Sequence, residues 1–184
     1  RKFLYAGCGY GGSCFPKDVK ALIKTSDNNG YSMEVLKAVE RVNEHQKTIL
    51  FEKLKSSLGK LEDRNIAVWG LSFKPETDDM REATSLVMID LLVKAGAIVK
   101  VFDPVAMDEC KCRIGDKVVY AQDMYEATID ADALLLLTEW KQFRLPSWAI
   151  LKKVMRQYFL LDGRNIYDSK ELESFGFTYE CIGR

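Results

Sequence analysis

The residues most able to do chemistry in this chain of 184 lie in one short run, Gly7-Cys8-Gly9-Tyr10-Gly11-Gly12-Ser13-Cys14-Phe15-Pro16-Lys17-Asp18. Four of residues 7–12 are glycine, which allows positive φ and lets a ligand approach the backbone closely. Pro16 suits the first turn of a helix, where its missing N–H costs nothing. Asp18 then falls in that first turn, where negative charge is favoured. Cys14 is therefore expected immediately before a helix N-terminus, with Lys17 nearby. Both surroundings favour a thiolate, the form in which cysteine acts as a nucleophile. The competing reading is a small buried hydrophobe, the commonest role of a free cysteine. The clustering of glycines, proline, lysine and aspartate favours chemistry.

Gly7-x-Gly9-x-x-Gly12 also has the spacing of a dinucleotide fingerprint, and Lys2-Phe3-Leu4-Tyr5-Ala6 could precede it as a short strand. That fingerprint needs a βαβ unit with an acid closing its second strand. A second helical pattern follows here instead, so the match is rejected.

The elements that must position this run follow in order. Pro16 to about Thr25 reads as a short helix with Val19, Leu22 and Ile23 on one face. Asp27-Asn28-Asn29-Gly30 is a turn. Ser32 is expected to cap a long helix to about Leu58, with Met33, Leu36, Val39, Val42, Ile49, Leu50 and Leu54 at helical spacing. Lys37, Glu40, Arg41, Glu44 and Lys47 decorate another face. A helix of about 26 residues spans about 39 Å, longer than a small domain requires. It reads as a connector whose stripe also packs against a second copy, in preference to a solvated amphipathic helix. Gly59 ends it, and Lys60 to Arg64 is a polar bridge. The expected division is a helical segment at 1–60 and a sheet domain at 61–184.

Beyond the bridge, strands alternate with helices. Strands are expected at 66–71, 98–102, 117–120, 133–138, 158–162 and 177–182, and helices at 85–95 and 147–155. The run Ala133-Leu134-Leu135-Leu136-Leu137-Thr138 is apolar at successive positions, as in a parallel strand covered on both faces. The fold class is α/β: a helical segment with a long connecting helix, then an open, Rossmann-like parallel sheet.

In such sheets ligands bind beyond the carboxyl ends of the strands. Charged groups follow two of those ends, in Phe73-Lys74-Pro75-Glu76-Thr77-Asp78-Asp79-Met80-Arg81-Glu82 and in Asp162-Gly163-Arg164-Asn165. No glycine triplet follows the first strand, so a dinucleotide is not expected there in the usual way. Lys74, Arg81 and Arg164 could meet phosphate oxygens, arginine through its planar fork and lysine as a point charge. The plainer reading pairs them with Asp78, Asp79 and Glu82 as exposed ion pairs, which contribute little.

Composition sets outer bounds. Hydrophobic residues make up 47% and charged residues 29%, and Lys+Arg balance Asp+Glu at 27 each, so charge implies no nucleic-acid or membrane partner. No apolar run approaches the roughly 20 residues of a membrane helix. No signal peptide is expected. The first residue is Arg1, not Met, and an N-terminal part is expected to precede it. Five scattered cysteines favour a reducing, cytoplasmic setting. Cys110-Lys111-Cys112 invites a zinc reading, but no second ligand pair has suitable spacing and His45 is remote. No metal is expected.

Phe3-Leu4-Tyr5-Ala6-Gly7 followed by Gly9-Tyr10-Gly11-Gly12-Ser13-Cys14-Phe15-Pro16-Lys17-Asp18 resembles the catalytic loop of the nucleotide-sugar dehydrogenases, the UDP-glucose/GDP-mannose dehydrogenase family. Phe73-Lys74-x-x-Thr77-x-Asp79-x-Arg81-Glu82 and Asp162-Gly163-Arg164 are similar to further signatures of that family. The resemblance implies Cys14 as nucleophile and Asp18 beside the reacting water. It puts Phe3, Leu4, Tyr5, Ala6, Gly7, Gly11, Lys74 and Arg164 on the substrate, and Lys17 and Arg81 on NAD. It also implies that NAD is bound mainly by a preceding N-terminal domain, and that a lysine and an asparagine ahead of Arg1 hold the reacting oxygens. Family members dimerise through the long central helix. The motifs look most like the UDP-glucose branch, which makes UDP-glucuronate for polysaccharide biosynthesis. GDP-mannose or UDP-N-acetylmannosamine remain open as substrates. So does a silent nucleotide-binding and dimerisation module.

Overall fold

The computed structural model describes residues 5–183. Three helices come first: α1 (Phe15–Asn28), α2 (Glu34–Gln46) and α3 (Ile49–Leu58). The remainder alternates as β1 (Asn65–Trp69), α4 (Thr84–Lys94), β2 (Ile98–Phe102), α5 (Met107–Ile114), β3 (Val119–Tyr120), β4 (Ala133–Leu136), α6 (Trp148–Val154), β5 (Phe159–Asp162), α7 (Ser169–Ser174) and β6 (Thr178–Cys181). The six strands form one parallel sheet in the order β3-β2-β1-β4-β5-β6. The chain builds outward from β1 to one edge, then returns to β4 and builds to the other. The crevice between the carboxyl ends of β1 and β4 is therefore the point where ligands bind in sheets of this kind.

Successive strand residues face opposite sides of a sheet, and each face here has its own core. Ile66, Val68, Val99, Val101, Leu135 and Leu161 pack under α3, α4 and α5, with Leu50, Leu54, Met88, Leu92 and Cys110. Ala67, Trp69, Leu134, Leu136 and Leu160 pack on the other side, with Phe143, Trp148, Leu151 and Leu172. Covering on both faces explains the unbroken apolar run at β4.

The expected long helix is present as two segments. Thr48 sends both its N–H (3.0 Å) and its Oγ1–H (2.8 Å) to the His45 carbonyl. The i−4 ladder is thereby interrupted between α2 and α3, a known effect of a threonine hydroxyl bonding the local backbone. Ser32 does not cap α2. Met33 stands at that position, and the Ser32 hydroxyl donates to Glu34. α1 runs three residues past its expected end, and α5 and α7 had no clear periodic signal.

The break divides the apolar stripe. Leu50 and Leu54 of α3 are fully buried in the chain's own core, whereas Val35, Val39 and Val42 of α2 are exposed, Val42 at 63%. Lys47 was expected on the solvated face and is instead 2% exposed. Residues 43, 47, 50 and 54 share one helical face, so Asn43 and Lys47 continue the buried stripe with polar groups.

Leu54→Ala should lower the free energy of unfolding by roughly 2–5 kcal/mol, read from urea melts. Val42→Ala should change it by no more than about 0.5 kcal/mol in dilute solution. A matching loss at Val42 would mean that a second copy buries that residue.

Candidate active site

The glycine-rich run is an irregular segment pinned from three sides. Cys8 N–H donates to the Gly163 carbonyl beyond β5 (2.9 Å), and Thr84 Oγ1 donates to the Cys8 carbonyl (2.8 Å). From α2, Gln46 Nε2 donates to the Gly7 carbonyl (2.8 Å). Asn43 accepts from Tyr10 N–H at 2.8 Å and donates back to the Tyr10 carbonyl at 3.2 Å. Gly12 N–H donates to the Arg81 carbonyl (2.7 Å). Two glycines are required by these approaches. A Cβ on Gly11 would lie 2.4 Å from the Glu82 carbonyl oxygen, and one on Gly12, at φ +94°, would lie 2.8 Å from the Phe73 ring.

Cys14 emerges from this segment at the N-cap of α1, exposed, with Pro16 in the first turn as expected. Its sulfur is 3.6 Å from Ser13 Oγ. It opens on a cleft of about 700 Å³ also lined by Gly12, Ser13, Lys17, Lys20, Arg81, Glu82 and Arg113. Lys17 and Arg81 thus share the cleft with Cys14. Asp18 is exposed in the same first turn, its N–H on the Cys14 carbonyl (2.8 Å). Arg81 is fixed by a two-point pair with Asp79, Nε–Oδ1 at 2.9 Å and Nη2–Oδ2 at 2.8 Å. The expected exposed ion pair therefore exists, and most of the guanidinium's N–H groups still remain available to the cleft.

Glu82 stands at the centre of the surrounding network. At φ +55° it accepts from Lys20 of α1 (2.8 Å) and from buried Lys47 between α2 and α3 (3.4 Å). Lys47 also pairs with Glu44 at 2.8 Å. The Lys20 hydrogen bond, followed by the charges of Lys20 and Lys47, holds the Glu82 carboxyl below its ordinary 4.5, against the opposing effect of burial.

Arg164 and Lys74 gather elsewhere, at the β1/β4 crevice. Arg164 Nε donates to the Leu137 carbonyl at 2.6 Å, and its Nη2 lies 3.5 Å from the Phe73 carbonyl. Glu139 approaches the same Nε at 3.4 Å. Lys74 reaches over the Phe73 ring, 5.3 Å from its centre. Gly7 abuts Arg164: a Cβ there would lie 3.3 Å from Nη1. Tyr5 and Ala6, just ahead of it, are exposed. Phe3 and Leu4 lie outside the described residues.

The acid that ends β2 has no room for a ribose. Asp103 is 1% exposed and accepts from the N–H groups of Leu71 (2.7 Å), Val105 and Ala106 (both 2.9 Å) and from Trp140 Nε1 (3.0 Å). Gly70, at φ +90°, sits so close to Thr138 that a Cβ would be 2.5 Å away. A dinucleotide therefore does not fit this sheet in the usual way, whereas the cleft beside Cys14 is open and lined by Lys17, Lys20, Arg81 and Arg113. The Cys110/Cys112 pair splits across α5. Cys112 is exposed, while burial pushes the Cys110 thiol up to about 11.

Residues 67–169 match the UDP-binding domain of the UDP-glucose/GDP-mannose dehydrogenase family, and residues 1–45 match its central domain. The chain belongs to this family. A UDP-glucose 6-dehydrogenase of Pseudomonas aeruginosa is 47% identical over 99% of this chain and 42% of its own length. UDP-glucose 6-dehydrogenase TuaD of Bacillus subtilis is 41% identical over 100% of the chain and 40% of its own. A solved UDP-glucose dehydrogenase from Pyrobaculum islandicum superposes with a TM-score of 0.82 at 37% identity, over 90% of this chain and 37% of that one. The chain thus spans about two-fifths of the length of these family members.

The site residues not foreseen in the sequence are Asn43, Lys47, Asp103, Arg113 and Glu139. Asn43 and Lys47 carried a signal, their helical register with Leu50 and Leu54. Arg113 carried none, because it acts on a segment distant in sequence, and Glu82, expected to pair with the cations after β1 and β5, is taken instead by Lys20 and Lys47.

A group whose folded pKa is depressed adds stability above its unfolded value, which is lost as pH falls through the folded one. Glu82→Gln should therefore lower the thermal midpoint at pH 7 and make little difference at pH 3. With Glu82 side chain 41% exposed, the effect should stay below about 1 kcal/mol. Gly11→Ala should cost about 1–3 kcal/mol by overpacking against Glu82, seen as a lower urea midpoint.

Proposed function

We propose that this chain is the central and nucleotide-binding part of an NAD-dependent enzyme that oxidises UDP-glucose to UDP-glucuronate, with Cys14 as the covalent nucleophile. The observation that carries the reading is the exposed Cys14 sulfur at the head of α1, opening into a cationic cleft in a family whose named relatives act on UDP-glucose. The substrate's nucleotide would meet Lys74 and Arg164 at the β1/β4 crevice, and its sugar would run along Phe3 to Gly7 and Gly11 toward Cys14. Arg164 is held with its Nε on a backbone carbonyl, so its remaining N–H groups are oriented before any phosphate arrives, which reduces the ordering cost of binding.

NAD, held chiefly by a domain outside these residues, would accept one hydride in each oxidation, so that two NAD molecules are reduced per turnover. Lys17 and Arg81 would meet its anionic portion. Loss of hydride and a proton from the sugar's primary alcohol leaves an aldehyde. The Cys14 sulfur adds to the aldehyde carbon, and the oxygen takes up a proton. This tetrahedral thiohemiacetal can lose a second hydride from carbon and the proton from its hydroxyl, giving a thioester. Water, oriented or deprotonated by Asp18, attacks the thioester carbonyl, and the C–S bond breaks to leave the carboxylate and the free thiol. Only a thiol makes both the tetrahedral hydride donor and an acyl group this labile to water.

Two copies would pair through α1 and α2, a reading supported by the exposed Leu22, Tyr31, Val35, Val39 and Val42. The five unpaired cysteines support a cytoplasmic setting, and no helix among the described residues is long and apolar enough to cross a membrane. Polysaccharide precursors are the proposed use of the product.

Calorimetry with UDP and GDP tests the nucleotide. UDP should bind the chain and GDP should bind at least about tenfold more weakly. Arg164→Ala should weaken UDP by about tenfold to a hundredfold, the range for a hydrogen bond to a charged group. Tighter GDP binding would move the substrate to GDP-mannose. Iodoacetamide should modify Cys14 well ahead of Cys112, the other exposed thiol. Equal rates at the two would favour a silent nucleotide-binding module.

A further inference from the structure

We propose that Arg113 is a ligand-binding residue of the Cys14 cleft and that, with Arg81, it grips a diphosphate bridge. The inference rests on the functional reading above only for which nucleotide carries that diphosphate. Arg113 belongs to α5, a helix that follows β2 and is about a hundred residues from Cys14 in sequence, yet it lines the same cleft. Four of the side chains on that cleft are cationic, Lys17, Lys20, Arg81 and Arg113, against a single carboxylate, Glu82. Glu82 is itself occupied by Lys20 and Lys47, and Arg81 and Arg113 are paired with Asp79 and Glu109, so what the two arginines offer the cleft is their remaining N–H groups.

Each arginine is braced from behind by its own carboxylate. Arg81 is held by Asp79, and Arg113 by Glu109 one helical turn away, with both Nε and Nη2 directed at Oε1 (2.6 Å). The two are close enough that the Arg113 charge contributes to holding the Asp79 carboxyl below its ordinary value, after the larger effect of the Arg81 hydrogen bonds. A braced guanidinium presents its other N–H groups in a fixed plane that matches two phosphate oxygens. One fork would suit a single carboxylate or phosphate. Two forks lining one cleft with Lys17 suit a diphosphate, one phosphate to each fork. Arg164 and Lys74 do not line this cleft, so the two arginines form an anion site apart from theirs.

The test is protection of Cys14 from iodoacetamide, with Cys14 and Cys112 peptides resolved by mass spectrometry. Inorganic pyrophosphate should slow modification of Cys14 and not of Cys112. Arg113→Gln should raise the half-protecting concentration by about tenfold or more, and Arg113→Lys, which keeps the charge and loses the fork, by a smaller factor. Unchanged protection in Arg113→Gln, with its thermal midpoint also unchanged, overturns the proposal. Calorimetry with pyrophosphate gives the same comparison without the thiol, so an unreactive Cys14 would sink the nucleophile reading and leave this one standing. NAD and UDP then distinguish the source. Protection by NAD that depends on Arg113, with UDP binding that depends on Arg164 alone, assigns the cleft to the dinucleotide. Arg113-dependent UDP binding assigns it to the nucleotide sugar.

Discussion

The carboxylate of Glu82 is the point at which three otherwise separate parts of this chain are joined. It receives Lys20 from the helix that carries Cys14, and Lys47 from the junction of α2 and α3. It belongs itself to the loop after β1 that also supplies Arg81. Its carbonyl oxygen lies where a side chain on Gly11 would have to go. The ion pair is only partly buried, and pairs of that kind contribute modestly to stability. Its importance is geometric. Lys47 has almost no access to water and depends on Glu44 and Glu82 to compensate for its burial, so a shift of the helical segment against the sheet would leave it with Glu44 alone.

The sheet shows how a fold known for dinucleotides can be turned to another ligand. The acid at the end of β2 would ordinarily face a ribose. In this family member Asp103 is saturated by backbone and indole donors, and Gly70 is pressed against Thr138. What remains open is the crevice where Arg164, Lys74 and Gly7 converge, and the cationic cleft beyond it beside Cys14. The glycines of the segment leading to Cys14 serve this division. They let the chain pass between the loop after β1 and the end of β5 with no side chain in the way, so that the segment touches one site at Gly7 and the other at Cys14.

Much of this was legible in the sequence for definite reasons. Apolar runs of four to six residues separated by helical patterns specify a covered parallel sheet, because both faces of each strand must be buried. The placing of Pro16 and Asp18 specifies a helix start at Cys14, since each satisfies a requirement of the first turn on its own. Gly59 and Gly96 end their helices because positive φ is inexpensive only for glycine. The motif residues could be named one by one, because a local pattern of residue types is a property of the chain before it folds.

Other features were decided by contacts between distant segments. The long helix breaks at Lys47-Thr48, where a side-chain hydroxyl competes for a backbone carbonyl and a lysine is drawn inward by a carboxylate 35 residues away. Its apolar stripe is half core and half open surface, and the helical period alone could not divide it. Arg81 and Arg164 look alike as cations after strands, but tertiary structure sends one to the Cys14 cleft and the other to the β1/β4 crevice. Arg113 joins the first of these only because the chain after β2 brings the end of α5 to the Cys14 cleft. Local pattern determines the elements and the reactive residue types. Which of them face one another depends on the order in which strands pair, and that order is settled only when the whole core is buried at once.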